Sequence, residues 1–129
     1  EIGGGVLYGD PRFMRRATAG VRGVLTALGM ISGDLPDACE QLMLTRRTLM
    51  RVPEGGIFHP SVGVEAIERE LRGDTLLGTI VDPYSLEQVA EMRAPYPRSV
   101  LLQFRTLPTA VQPGEYAYIV ADLDSAIPA

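Results

Sequence analysis

The sequence predicts a mainly β fold preceded by one helix, on three observations. Up to about residue 36 the apolar residues recur at steps of three and four, the spacing of one helical face. Beyond it they fall into short runs rich in Val, Ile, Leu and Thr, broken by Pro and Gly, the pattern of successive strands and turns. Those runs also repeat weakly: Gly73-Asp74 and Gly114-Glu115 lie at an offset of 41 (114 − 73), and Pro53 and Pro95 at an offset of 42 (95 − 53). Two such halves, each with one apolar strand after a proline turn and another after a Gly-acidic turn, can close on a shared core, which predicts a barrel-like sandwich. The division falls between residues 1–36 and 37–129.

Asp10-Pro11 opens the helix as an N-cap followed by proline at the first helical position, where the missing N–H costs nothing. Phe13, Ala17, Val21, Val24 and Leu28 then line one face, with Arg12, Arg15, Arg16 and Arg22 opposite. Gly29 supplies the left-handed position that stops the helix near Leu28, and Ser32-Gly33-Asp34-Leu35-Pro36 continues as loop. Gly20 and Gly23 each cost about 1 kcal/mol relative to alanine inside a helix, which points to close approach of another backbone. The apolar stripe has to dock on the β region or on another chain, so a homo-oligomer is one expectation.

The strand runs are Leu42–Val52, Gly56–His59, Thr75–Val81, Glu87–Met92, Ser99–Thr106 and Tyr116–Val120, joined by turns such as Pro53-Glu54-Gly55 and Gln112-Pro113-Gly114. Between them, Val64, Ile67 and Leu71 stand at helical steps among Glu65, Glu68 and Glu70, so Gly63–Arg72 reads as a short helical connector.

With 129 residues the chain has room for one main core. Apolar residues at 46% and charged residues at 22% place it with folded globular chains rather than disordered ones. No run approaches the ~18 uninterrupted apolar residues of a membrane span, and no signal-peptide pattern occurs. Cys39 has no partner cysteine in the chain, which fits a reducing, cytoplasmic compartment. The net charge is −4 and the arginines are scattered, which argues against a nucleic-acid partner. All twelve basic residues are arginine; no lysine occurs.

The paired halves resemble, in fold alone, the quasi-twofold sandwich of biotinyl and lipoyl carrier domains. Those domains carry their prosthetic group on a lysine amine at a hairpin tip, which here would be Asp82-Pro83-Tyr84-Ser85. Without a lysine, no amide bond to biotin or lipoate can form, and a swinging-arm function is excluded.

A second resemblance spans nearly the whole chain. Glu1-Ile2-Gly3-Gly4-Gly5, the helix with Gly20 and Gly23, and Leu28-Gly29 resemble the segment that closes the catalytic domain in the succinylglutamate desuccinylase/aspartoacylase family. Gly55-Gly56-Ile57-Phe58, Leu77-Gly78-Thr79-Ile80-Val81-Asp82-Pro83-Tyr84, Arg93-Ala94-Pro95 and Val111-Gln112-Pro113-Gly114-Glu115-Tyr116 follow in the order of that family's C-terminal β domain. The resemblance implies that residues 1–36 hold the last strand end and helix of an α/β zinc-hydrolase domain and residues 37–129 the C-terminal β domain. It implies a parent enzyme that hydrolyses the amide bond of N-acyl amino acids with zinc, held by two histidines and a glutamate that lie upstream of this segment. A separate glutamate moves the proton, and the match places it at Glu1. A strand end at position one also suggests a piece of a longer chain, since an isolated strand end gains little. With His59 as its single histidine, the piece is expected to bind no metal and to be inactive alone. A non-enzymatic interaction or oligomerisation module is the alternative.

Other residues carry weaker expectations. His59, between Phe58 and Pro60, reads as a surface or hydrogen-bonded histidine more than a ligand. Arg12, Arg15, Arg16 and Arg22 read as a solvated face before a carboxylate site, and Cys39 lacks a nearby histidine to activate it. Tyr84, Tyr96 and Arg98 fall at turns from which they could reach over a substrate, although packing or exposure is the plainer reading. Gly3-Gly4-Gly5 lacks the spacing and lysine of a phosphate-binding loop and reads as a tight turn.

Overall fold

A computed structural model describes residues 11–35, 41–67 and 69–128. The chain divides into two compact units, Glu1–Cys39 and Glu40–Ala129. In the first, helix α1 spans Pro11–Ala27, and the expected N-cap Asp10 lies outside the described residues. It ends in a Schellman turn: the Met30 N–H donates to the Leu25 carbonyl and the Gly29 N–H to the Thr26 carbonyl, both at 2.9 Å, with Gly29 at φ 69°. That left-handed residue is why glycine stands there. Along the apolar stripe Val21, Val24 and Leu28 are exposed, as is Met14 beside it. A Cβ added at Gly20 would meet no described atom of its own unit within 4 Å.

The second unit is antiparallel β throughout its named strands: β1 (Leu42–Leu44), β2 (Arg47–Arg51), β3 (Gly56–Pro60), β4 (Glu70–Arg72), β5 (Leu76–Val81), β6 (Gln88–Arg93), β7 (Arg98–Phe104), β8 (Thr109–Val111), β9 (Tyr116–Asp122) and β10 (Ala126–Pro128). One four-stranded sheet runs β2-β9-β7-β4, a second runs β6-β5-β3-β8, and β1 pairs with β10 apart from both. The two large sheets form a sandwich, and neither closes into a barrel.

The repeat read from the turns is a repeat of strands. β2 and β6 begin 41 residues apart (88 − 47), β3 and β7 42 (98 − 56), β4 and β8 39 (109 − 70), and β5 and β9 40 (116 − 76). Exchanging each strand for its counterpart converts β2-β9-β7-β4 into β6-β5-β3-β8, in the same order. Each sheet therefore takes two strands from each half, and no half owns a sheet.

Two expected elements differ. The single run Leu42–Val52 breaks into β1 and β2, because Thr45 and Arg46 are tied to the 3-10 turn Leu123–Ser125: the Arg46 N–H donates to Ser125 Oγ at 3.0 Å, and the Arg46 carbonyl accepts from the Asp122 N–H at 3.0 Å. Among the described residues of 63–72, the 3-10 turn Val64–Ala66 is the helical part. Ala66 is buried there, Ile67 bridges to Leu101, and Glu70–Arg72 pairs with β7 as β4, so sheet pairing overrides the helical spacing.

Phe58 and Tyr118, fully buried, join the sheets at the core. Their rings meet edge to face at 5.8 Å, and Phe104 stacks on Tyr118 at 6.2 Å. The Tyr118 hydroxyl donates to the Leu77 carbonyl, and burial raises its pKa well above the ordinary phenol value. Gly78 leaves the room this needs: a Cβ there would stand 2.7 Å from the Phe58 ring and 2.8 Å from the Tyr118 hydroxyl. Gly78→Ala is therefore expected to destabilise the fold by about 1–3 kcal/mol through overpacking, read as a lowered urea midpoint.

Candidate functional site

Glu1, Gly3-Gly4-Gly5 and Cys39 lie outside the described residues, and so does the side chain of Arg12. Arg15, Arg16 and Arg22 are exposed on α1, with Arg16 engaged by a further contact. His59 is exposed on β3 opposite Thr79.

The three turn residues separate. Tyr96 is half-buried, its hydroxyl 2.6 Å from Thr48 Oγ1 and its ring under the Arg46 guanidinium at 5.4 Å. Arg98 clamps Glu70 at 2.8 and 2.9 Å and Asp124 at 3.1 Å, fastening β4 and the 3-10 turn at Leu123–Ser125 to β7. Both are occupied by structure. Tyr84, in contrast, is 95% exposed at the tip between β5 and β6. Asp82 shapes that tip: its Oδ1 accepts the N–H of Tyr84 at 2.7 Å and of Ser85 at 2.9 Å, and its carbonyl accepts the Leu86 N–H at 2.9 Å. Leu86 sits at φ 60°, a conformation a branched side chain rarely adopts. The sequence-based candidates are thus not brought into one site.

Nor do the described donors fit a zinc ion. Among the described residues no group of three or more His, Cys, Asp or Glu is placed to hold a metal. Several carboxylates pair with arginines instead: Asp122 with Arg46, Glu91 with Arg93, Glu70 and Asp124 with Arg98, Glu115 with Arg105. No helix among the described residues is long and apolar enough to cross a membrane.

One feature the sequence reading passed over is a shallow concavity of about 230 Å³ lined by Leu49, Arg51, Gln103, Tyr116 and Ile119. Its signal was the alternation Arg47, Leu49, Arg51 along β2, which sets an apolar side chain on the exposed face between two cations.

Among the described residues, three carboxyls lie below their ordinary values: Asp82 through the Ser85 and Tyr84 N–H groups, Glu70 through the Arg98 hydrogen bond, Glu91 through that of Arg93. A carboxyl lowered by folding favours the folded state fully above its unfolded pKa, and that contribution fades as pH falls through the lower folded value. Stability is expected to hold down to about pH 5 and decline below the ordinary 4.5 of Glu and 3.8 of Asp. Asp82→Ala is expected to flatten part of that acid limb, measured as urea midpoints from about pH 6 to about pH 3.

No family model matches the chain, and no curated protein matches it in sequence. Solved structures do. An aspartoacylase family protein from Mesorhizobium loti matches with TM-score 0.60 and 26% identity over 81% of this chain and 37% of its own. Proteins assigned to the succinylglutamate desuccinylase/aspartoacylase family from Shewanella amazonensis (TM-score 0.65, 14% identity, 95% of this chain) and Shewanella frigidimarina (TM-score 0.64, 17% identity, 92%) share the fold. This chain covers 33% and 32% of those two, so it spans about a third of the length of the structures it matches. In fold, along most of its length, the chain is similar to aspartoacylase and succinylglutamate desuccinylase family proteins, over a share of their length consistent with a C-terminal portion.

Proposed function

We propose that this chain is the C-terminal portion of a deacylase that hydrolyses the amide bond of N-acyl amino acids, and that the β unit shapes access of the substrate to a catalytic domain. The observation that carries the reading is the match to the Mesorhizobium loti aspartoacylase family protein over 81% of this chain. In this reading zinc belongs to the whole protein and Glu1 is its general base, working in the cytoplasm without a nucleic-acid partner. In this reading the portion alone is inactive, since the two histidines and the glutamate that hold zinc lie upstream of it. Isothermal titration with zinc is expected to find no tight stoichiometric site, and N-acetyl amino acids are expected to release no acetate. Tight one-to-one zinc binding or chelator-insensitive turnover would overturn the reading.

The exposure of Met14, Val21, Val24 and Leu28 on α1 favours a second reading, a non-enzymatic module that associates through this helix. Sedimentation equilibrium separates the two. A concentration-dependent dimer weakened at least about tenfold by Val24→Glu supports the module, and a monomer at every concentration removes it.

A further inference from the structure

We propose that the outer face of the sheet β2-β9-β7-β4 carries a binding site for a small organic carboxylate with an apolar body. The strand register builds it. Leu49, Ile119 and Gln103 stand side by side across β2, β9 and β7, and Arg51 and Tyr116 form the neighbouring pair. Together they line the concavity of about 230 Å³. At the ~30 Å³ that a water occupies in the liquid, this is room for roughly eight water-sized units, the scale of a small aromatic or short-chain acid. An apolar floor with a few fixed polar groups at its margin is the usual make-up of a small-molecule site.

The margin is held in place before any ligand arrives. Arg105 lies over the Tyr116 ring at 5.7 Å and is itself paired with Glu115 at 2.7 Å, while Gln103 donates to the Tyr116 hydroxyl at 3.0 Å. Arg51 donates one N–H to the Gly114 carbonyl at 2.6 Å and has no carboxylate partner among the described residues. Arg46, Arg93, Arg98 and Arg105 of the same unit each have one, whereas Arg47, Arg69 and Arg72 share with Arg51 the lack of one among the described residues. A planar guanidinium anchored by one bond keeps donors for a carboxylate, and that selects an anion for this end of the floor.

The internal twofold supplies a control. Ile119 and Thr79 are the fourth residues of β9 and β5, which exchange under the repeat. The row through Ile119 carries Leu49, 45% exposed, whereas the row through Thr79 carries exposed His59 and Glu91. The fold thus accepts a polar row at this place, and the exposed apolar one answers to something besides folding. The site goes beyond the proposed function and stands whether or not that reading does.

The test is a titration of the full chain with 3-phenylpropionate, followed by amide ¹⁵N–¹H NMR. Saturable shifts confined to Leu49, Arg51, Gln103, Tyr116 and Ile119, with Kd below about 1 mM, are expected. Arg51→Gln and Leu49→Glu, both at exposed positions, should each raise Kd at least about tenfold while leaving the spectrum dispersed. The uncharged 3-phenylpropanol should bind at least about tenfold more weakly. Equal binding of the alcohol, shifts elsewhere, or no saturation by about 10 mM overturns the proposal. So does an acidic peptide that occupies this face while the small acid does not.

Discussion

The structure depends on the exchange of strands between its two halves, locked where Phe58, Tyr118 and Phe104 meet. β9 lies between β2 and β7, and β5 between β6 and β3, so each of these two inner strands has the other as its counterpart. Tyr118 on β9 reaches across the sandwich to Phe58 on β3 and to the carbonyl of Leu77 on β5. One hydroxyl therefore ties these two inner strands together. Gly78 belongs to the same joint, since any larger residue would displace the rings that the hydroxyl and the stacking hold.

Much of this was legible in the residues. Gly29 marked the end of the helix because it acts through the local backbone, by its positive φ. The repeat was visible at Gly73 and Gly114 for the same reason: turn chemistry is local. What stayed hidden was set by partners distant in sequence. The break at Thr45-Arg46 is imposed by Ser125 and Asp122, about eighty residues on. β8 and β10, three residues each, are too short to show an alternation, and β4 took a segment whose own spacing is helical. Of the site candidates, sequence position alone could not tell Tyr96 and Arg98, whose side chains are held by partners within the fold, from the exposed Tyr84.

An all-arginine complement suits this surface. Each of Arg46, Arg93, Arg98 and Arg105 reaches a carboxylate, and each also reaches a ring or a second acceptor in a way a single ammonium point charge would not match. These arginines hold edges and turns: β7 to β4, the end of β5 to β6, and the loop after β7 to β9. Arg51, like Arg47, Arg69 and Arg72, has no such carboxylate among the described residues, and the sheet face beside Arg51 departs from its symmetry mate.

The interleaving also sets an order of events during synthesis. β3, β5 and β6 lie next to one another and are complete by residue 93, so three strands of one sheet can pair while the rest of the chain is still emerging. The other sheet cannot, because its inner strand β9 arrives only at Tyr116–Asp122, and β2 has to wait for it with an open edge. The arginines at Arg47 and Arg51 keep that waiting edge charged, which discourages it from pairing with a neighbouring nascent chain before its own partner appears.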